Sequence, residues 1–218
     1  MKTALFSHPV DSSTPQFGGK LEISTDFDRK IREGDSCNSM RLSFPNHVST
    51  HIDAPFHFID GGKKITDFDS DFWMMSAVEL FDIPFDRAEL IDFEPRKFAS
   101  EARLTTLEGI FLRTGFESHR GTDRYWAENP GVSPTLAEKL RKACPKLRFL
   151  GMDFISATSY RHREEGRVAH REFLSREILF IEDMKLSAWV EKPSWVLASP
   201  LMLEGADGAP ASVFGIYP

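Results

Sequence analysis

The stretch Asn46–Phe58, N-H-V-S-T-H-I-D-A-P-F-H-F, restricts the folds open to this chain more than any other part of it. Three histidines and an aspartate fall within eleven residues, in a chain of 218 that has only seven histidines. Composition alone would place about a third of one histidine in such a window. The residues with polar chemistry also share a phase. His47, Ser49, His51, Asp53, Pro55 and His57 occupy odd positions, and Val48, Ile52, Ala54, Phe56 and Phe58 even ones. In an extended chain successive side chains point to opposite faces. A helix would bring His47 and His51 together, but it would turn Asp53 away and break at Pro55. The stretch therefore reads as an extended segment, with imidazoles and a carboxylate on one face and a buried apolar face behind. His47, His51 and Asp53 supply two nitrogens and an oxygen, a donor set suited to a divalent transition metal. His57, one step past the proline bend, can be a ligand, a proton-transfer group or a structural histidine.

The rest of the chain sets the context. Its length fits one good-sized domain spanning residues 1–218 and allows a substantial core. A hydrophobic content of 41% with 28% charged residues is that of a globular protein, not a disordered one. The net charge of −6 leaves no basic stripe for nucleic acid. No apolar run reaches the roughly 18 residues of a membrane span, and the N-terminal M-K-T-A-L-F-S-H-P-V has no secretory pattern. Two cysteines, Cys37 and Cys144, make neither a disulfide framework nor a thiolate site. A cytoplasmic enzyme is the expectation.

Short strands are expected at residues 4–6, at an edge over 21–31, and at 78–83, 88–91, 109–113, 147–152, 178–182, 194–203 and 211–216. Helices are expected over 98–107, starting near Ser100, and over 135–143, with Ser133 as N-cap and Pro134 at the first position. A helical turn is expected over 169–177. Many short strands with a few flanking helices, and no regular βαβ alternation, imply α/β or α+β around a mixed, barrel-like sheet.

The segment H-V-S-T-H-I-D-A-P-F-H-F resembles the signature of the metal-dependent cyclase family, H-x-G-T-H-x-D-x-P-x-H, a family that includes bacterial kynurenine formamidases and isatin hydrolases. The similarity continues through L-F-S-H-P-V-D-S-S-T-P-Q-F, G-I-F-L-R-T-G, P-G-V-S-P-T-L-A-E-K-L, L-G-M-D-F-I-S, A-H-R-E-F-L…I-L-F-I-E-D-M and S-P-L-M-L-E-G-A-D-G-A-P-A. The resemblance implies a swivelling β/β/α fold and a site of two Zn²⁺ ions, or Mn²⁺. His47, His51 and Asp53 would bind the first metal, with Asp53 bridging, and His170 and Glu182 would complete the second. His57 falls at the proton-transferring histidine, and Phe17 where kynurenine formamidases place a substrate-stacking tryptophan. The implied reaction is hydrolysis of a small aryl formamide by a metal-activated water. A cyclic amide or lactone is the alternative substrate, and a non-catalytic metal-binding sensor the alternative role. A homodimer or homotetramer is also implied. Ser49 stands where the family pattern has glycine, which permits unusual dihedrals. Phe17 keeps an aromatic face without an indole donor. No G-x-S-x-G elbow supports a serine route to the same reaction.

Overall fold

The computed structural model describes residues 1–20 and 23–218. Its strands are β1 (Lys2–Leu5), β2 (Ser24–Arg29), β3 (Ser39–Ser43), β4 (His51–Asp53), β5 (Met74–Met75), β6 (Val78–Asp82), β7 (Leu90–Ile91), β8 (Gly109–Arg113), β9 (Gly131–Val132), β10 (Phe149–Met152), β11 (Leu179–Glu182), β12 (Trp195–Pro200) and β13 (Gly208–Tyr217). Among the described residues four α-helices accompany them: α1 (Glu101–Leu104), α2 (Arg124–Ala127), α3 (Pro134–Ala143) and α4 (Arg163–Leu174). The main sheet runs β5-β12-β13-β4-β11-β10-β8-β6, with β1 also paired to β13. From β5 to β11 the neighbours are antiparallel, and from β11 to β6 they are parallel. Parallel strands need crossovers that cover the sheet. The parallel half accordingly carries α3 and α4, while the other half joins one hairpin, β12–β13, to strands from distant parts of the chain. The result is a mixed α/β fold with a nearly closed, barrel-like sheet and few helices, as expected from the sequence.

The two ends of that strand order, β5 and β6, are separated in the chain by only Ser76 and Ala77. This short link is what curls the sheet back on itself. Strand alternation then separates two cores. Ile110, Leu112, Leu150, Met152 and Phe180 face the helices, packing with Leu136, Leu140 and Phe173. Phe111, Phe149, Leu179, Ile181, Ile52 and Ala209 face the opposite way, into the barrel, with Phe6, Val196 and Val213. Among the described residues no helix is long and apolar enough to cross a membrane.

Several boundaries differ from the sequence expectation. The 46–58 segment is extended only over His51–Asp53; Pro55–His57 forms a 3₁₀ turn. The predicted apolar back face also stops there, because Phe58 crosses to the side of the histidines and stacks on His170 at 4.5 Å. Proline fixes φ and favours the first position of a turn, so the alternation cannot pass Pro55. The helical turn expected at 169–177 belongs to a longer helix, α4, whose buried residues Gly166, Ala169, His170, Phe173 and Leu174 form one stripe. Ser100 caps α1 through Arg103 N at 3.4 Å. Ser133 occupies the N-cap position of α3, but its hydroxyl pairs with Thr135 Oγ1 at 2.8 Å and makes no cap bond. The expected edge strand over 21–31 is β2, which pairs with β3 in a separate two-stranded ribbon; residues 21 and 22 lie outside the described residues.

Glu108 ties the seam of the barrel. Its Oε2 accepts from the Ser76 and Ala77 N–H groups at 2.7 and 3.1 Å, and its Oε1 accepts from Arg148 at 2.8 Å. Burial pushes this carboxyl up, but the two amides and Arg148 outweigh it and hold the group below its ordinary value of 4.5. A depressed carboxyl stabilises the fold in full above the unfolded value and loses that contribution as pH falls through the folded one. Glu108→Gln should therefore cost about 2 kcal/mol at neutral pH. The gap between wild type and variant in urea denaturation should close as pH falls below 4.5. An equal gap at both pH values would refute the assignment.

Candidate metal centre

β4 lies between β11 and β13, and strand register assembles the site. His51 is directly opposite Glu182 on one side, and Asp53 is opposite Gly208 on the other, next to Asp207. Opposed residues of antiparallel strands hold their Cβ atoms about 5 Å apart. His51 and Asp53, two residues apart, share the face toward α4, whereas Ile52 between them enters the barrel core. α4 supplies His170 from its buried stripe. His51, Asp53, His170 and Glu182 are all buried, with Asp53 only 1% exposed.

The orientation of the two buried imidazoles is set from behind. His51 Nδ1 donates to Ser49 O at 2.8 Å, and His170 Nδ1 donates to Gly166 O at 2.8 Å. Each ring then turns its Nε2 inward. His51 Nε2 lies 3.5 Å from Asp53 Oδ1 and 3.4 Å from Glu182 Oε2. His170 Nε2 lies 3.3 Å from Asp53 Oδ2 and 3.4 Å from Glu182 Oε1. Charge-assisted hydrogen bonds are shorter, about 2.7–2.9 Å. Two donors each about 2.0–2.1 Å from one tetrahedral ion lie roughly 3.4 Å apart. The spacing, the fixed tautomers and the nitrogen–oxygen donor set all fit a divalent metal ion.

The electrostatics agree. Burial alone would lower the His170 imidazole, yet its bonds to Asp53 and Glu182 lift it to about 10. His51 is raised in the same way, against burial, by Glu182 and Asp53. Burial pushes Asp53 up, but His57, His170 and His47 hold it well below the usual carboxylate range. The pocket is a well of negative potential that demands positive charge.

A second group adjoins the first and shares Asp53. Donor atoms of His47, Asp53 and His57 lie within 4.8 Å of one another, as do those of His51, Asp53 and Glu182. His47 Nδ1 is 2.9 Å from Asp53 Oδ1, and its Nε2 is 2.9 Å from Asp207 Oδ2. Burial lowers the His47 imidazole, but Asp207 and Asp53 raise it to about 10. His57 Nδ1 donates to Asp207 Oδ2 at 2.7 Å, and its ring stacks on His47 at 4.0 Å. The structure thus brings together all five sequence-predicted ligands and His57. Asp207 joins them without a clear mark in the sequence: A-D-G-A-P reads only as part of a strand pair, and its one signal is an acid before a glycine at a strand start. That glycine is required, because a Cβ on Gly208 would collide with His47 Cε1 and sit 2.8 Å from Ile52 O.

Ser49 explains its own departure from the family pattern. Its φ is +53°, in the left-handed region that favours glycine. The serine hydroxyl offsets the strain by donating to His8 O at 3.1 Å and accepting from Arg120 at 3.3 Å. Arg120 in turn grips Asp183 with two bonds of 3.0 Å.

These groups open into a cleft of about 280 Å³, at the small end for ligand sites (roughly 300–1,000 Å³). Phe17 and Phe58 line it, with Gln16, Ile155, Thr158 and Arg163. Phe17 is half-buried and meets Tyr160 edge-on at 5.6 Å.

A family model described as Putative cyclase matches residues 5–158. A kynurenine formamidase of Bacillus anthracis is 28% identical over 217 residues, covering 96% of each chain. The kynurenine formamidase of Bacillus thuringiensis subsp. konkukian is 27% identical over 208 residues, covering 94% of this chain and 92% of the relative. Isatin hydrolase A from Labrenzia aggregata bound to benzyl benzoate shares the fold with a TM-score of 0.78 at 18% identity, over 98% of this chain and 92% of its own.

Ser49→Gly should keep stability within about 1 kcal/mol, exchanging relieved strain for lost hydrogen bonds. Ser49→Val should cost about 2–3 kcal/mol, because a β-branched residue resists positive φ and replaces neither bond. Urea denaturation decides; a valine variant as stable as wild type would reject this account.

Proposed function

The chain belongs to the cyclase family, and from that premise we propose that it is a metal-dependent amidohydrolase acting on a small aryl formamide such as N-formylkynurenine. The carrying observation is the convergence of His51, Asp53, His170 and Glu182 at metal-donor spacing beside His57. The relatives named kynurenine formamidase support the substrate class. We read residues 1–218 as a single hydrolase domain whose centre would hold two Zn²⁺ or Mn²⁺ ions, His47, His51 and Asp53 binding the first and His170 and Glu182 completing the second, with His57 kept for proton transfer. When bound, such an ion polarises a carbonyl and acidifies a neighbouring water.

The chain's own residues do the rest. The Nδ1–H of His57 is committed to Asp207, which leaves Nε2 as the basic nitrogen facing away from that bond. Nε2 takes a proton from the attacking water and passes it to the departing amide nitrogen. The carboxylate of Asp207 holds the ring in place. Glu182 is held by the Ala157 N–H at 2.7 Å, so it does not swing when the substrate enters. Phe17 and Phe58 form apolar walls for an aromatic ring and limit water.

A cyclic amide or lactone is the second reading, favoured by Phe17, which offers no indole donor to an open-chain substrate. We also propose a homodimer or larger assembly. The β2–β3 ribbon exposes Phe27, Met40 and Leu42, with Ile31 beside it, an apolar face suited to a second copy. A cytoplasmic setting suits two free cysteines, one of them Cys144, whose thiol burial pushes up to about 11.

His51→Ala should lose bound metal and turnover together, by elemental analysis and formamide hydrolysis. His57→Ala should keep its metal and lose about 10²- to 10⁴-fold in kcat. Full turnover by metal-free protein would refute the proposal, and faster opening of isatin-like rings than of N-formylkynurenine would select the second reading. Light scattering should report at least a dimer in solution; a monomer would remove the assembly.

A further inference from the structure

Two residues that line the cleft have features that hydrolysis itself does not use. Gln16 is 7% exposed and lines the cleft, yet its Nε2 has no hydrogen-bond partner. A buried donor left unpaired is costly, and natural folds seldom keep one without a use. Arg163 lines the same cleft from the first turn of α4. Its guanidinium lies 5.9 Å from the centre of the Phe17 ring and 5.5 Å from that of Tyr160. Among the described residues it has no carboxylate partner. The other cleft cations are already engaged: Arg167 pairs with Glu164, and nearby Arg120 is held by Asp183. The two ends of the cleft are therefore opposite in character. The deep end gathers Asp53 and Glu182, Arg163 stands at the exposed rim, and Gln16, buried in the wall next to Phe17 in the chain, adds one unpaired amide donor.

Resting on the hydrolase reading, we infer that Gln16 and Arg163 form a carboxylate-recognition subsite, which selects aromatic substrates bearing an anionic side chain and orients them with the scissile amide inward. A guanidinium can grip a carboxylate with two parallel bonds, and an amide N–H supplies a third. A carboxylate is repelled by the deep carboxylates and attracted by Arg163, so an anionic substrate enters in one orientation. A neutral substrate leaves the Gln16 donor unpaired and lacks that bias.

The test is a binding measurement that needs no hydrolysis. The probes are 3-benzoylpropionate, an aryl ketone carrying a carboxylate, and its methyl ester. Each is titrated calorimetrically into metal-loaded, full-length protein. Wild type should prefer the acid by about tenfold or more. Arg163→Gln, at an exposed position that leaves the core intact, should remove most of that preference. Gln16→Glu, which sets a carboxylate against the ligand's own, should reverse it. An acid preference unchanged in both variants would mean that the metal centre holds the carboxylate, and would overturn the subsite. If the preference behaves as described but no amide is hydrolysed, the subsite stands and the hydrolase reading falls. Hydrolysis of N-formyl amides by a wild type indifferent to the carboxylate does the reverse.

Discussion

The charge on Asp53 is the constraint to which the rest of the site answers. A carboxylate removed from water is destabilised by several kcal/mol unless opposite charge reaches it. At 1% exposure Asp53 receives almost none from solvent. His47, His51 and His170 surround it, and Glu182 adds a second buried carboxylate. Two such acids side by side cannot be offset by neutral imidazoles. The cluster is stable with protons spread over its histidines or with metal cations, and the spacing of its inward nitrogens suits cations.

The sheet explains how that cluster can form at all. β4 lies next to the change from antiparallel to parallel pairing, and both its neighbours deliver chemistry in register: Glu182 from β11 and Asp207 at the start of β13. The strand needs only three residues because Ile52 anchors it in one core while His51 and Asp53 face the other way. The backbone on either side is less regular. Ser49 takes a left-handed conformation before the strand, and Pro55 begins a turn after it. These two bends, not a continuous strand, bring His47 and His57 over Asp53 and into contact with each other.

Charge is also graded along the cleft, from two carboxylates at its floor to Arg163 at its rim, with Phe17 and Phe58 as apolar walls between. This gradient gives direction to a small cavity whose walls would otherwise accept a flat ring either way round. Rigid support lies behind the floor, where Arg120, Asp183, Tyr125 and Ser49 form one hydrogen-bonded network. Motion is more easily accommodated at the outer end, where Arg163 is held only by ring faces among the described residues.

By itself the sequence marked the candidate donor set and much of the architecture. His47, His51, Asp53 and His57 were legible because four chemically capable side chains shared one phase, and β8, α3, β10 and β11 because their apolar patterns are local. His170 and Glu182 were legible only through resemblance, since a lone histidine on a helix and a lone acid at a strand end carry no local signal. The tertiary structure alone decided the remainder. Asp207 becomes a site residue because β13 pairs with β4 across more than 150 residues of chain, and Gln16 matters because its amide is buried in a cleft without a partner. Both are properties of long-range pairing and burial, whereas a sequence pattern records only neighbours along the chain. The extended reading of residues 46–58 held only over His51–Asp53: the bend at Pro55 is local and legible, whereas the left-handed turn at Ser49 is supported by distant contacts to His8 and Arg120.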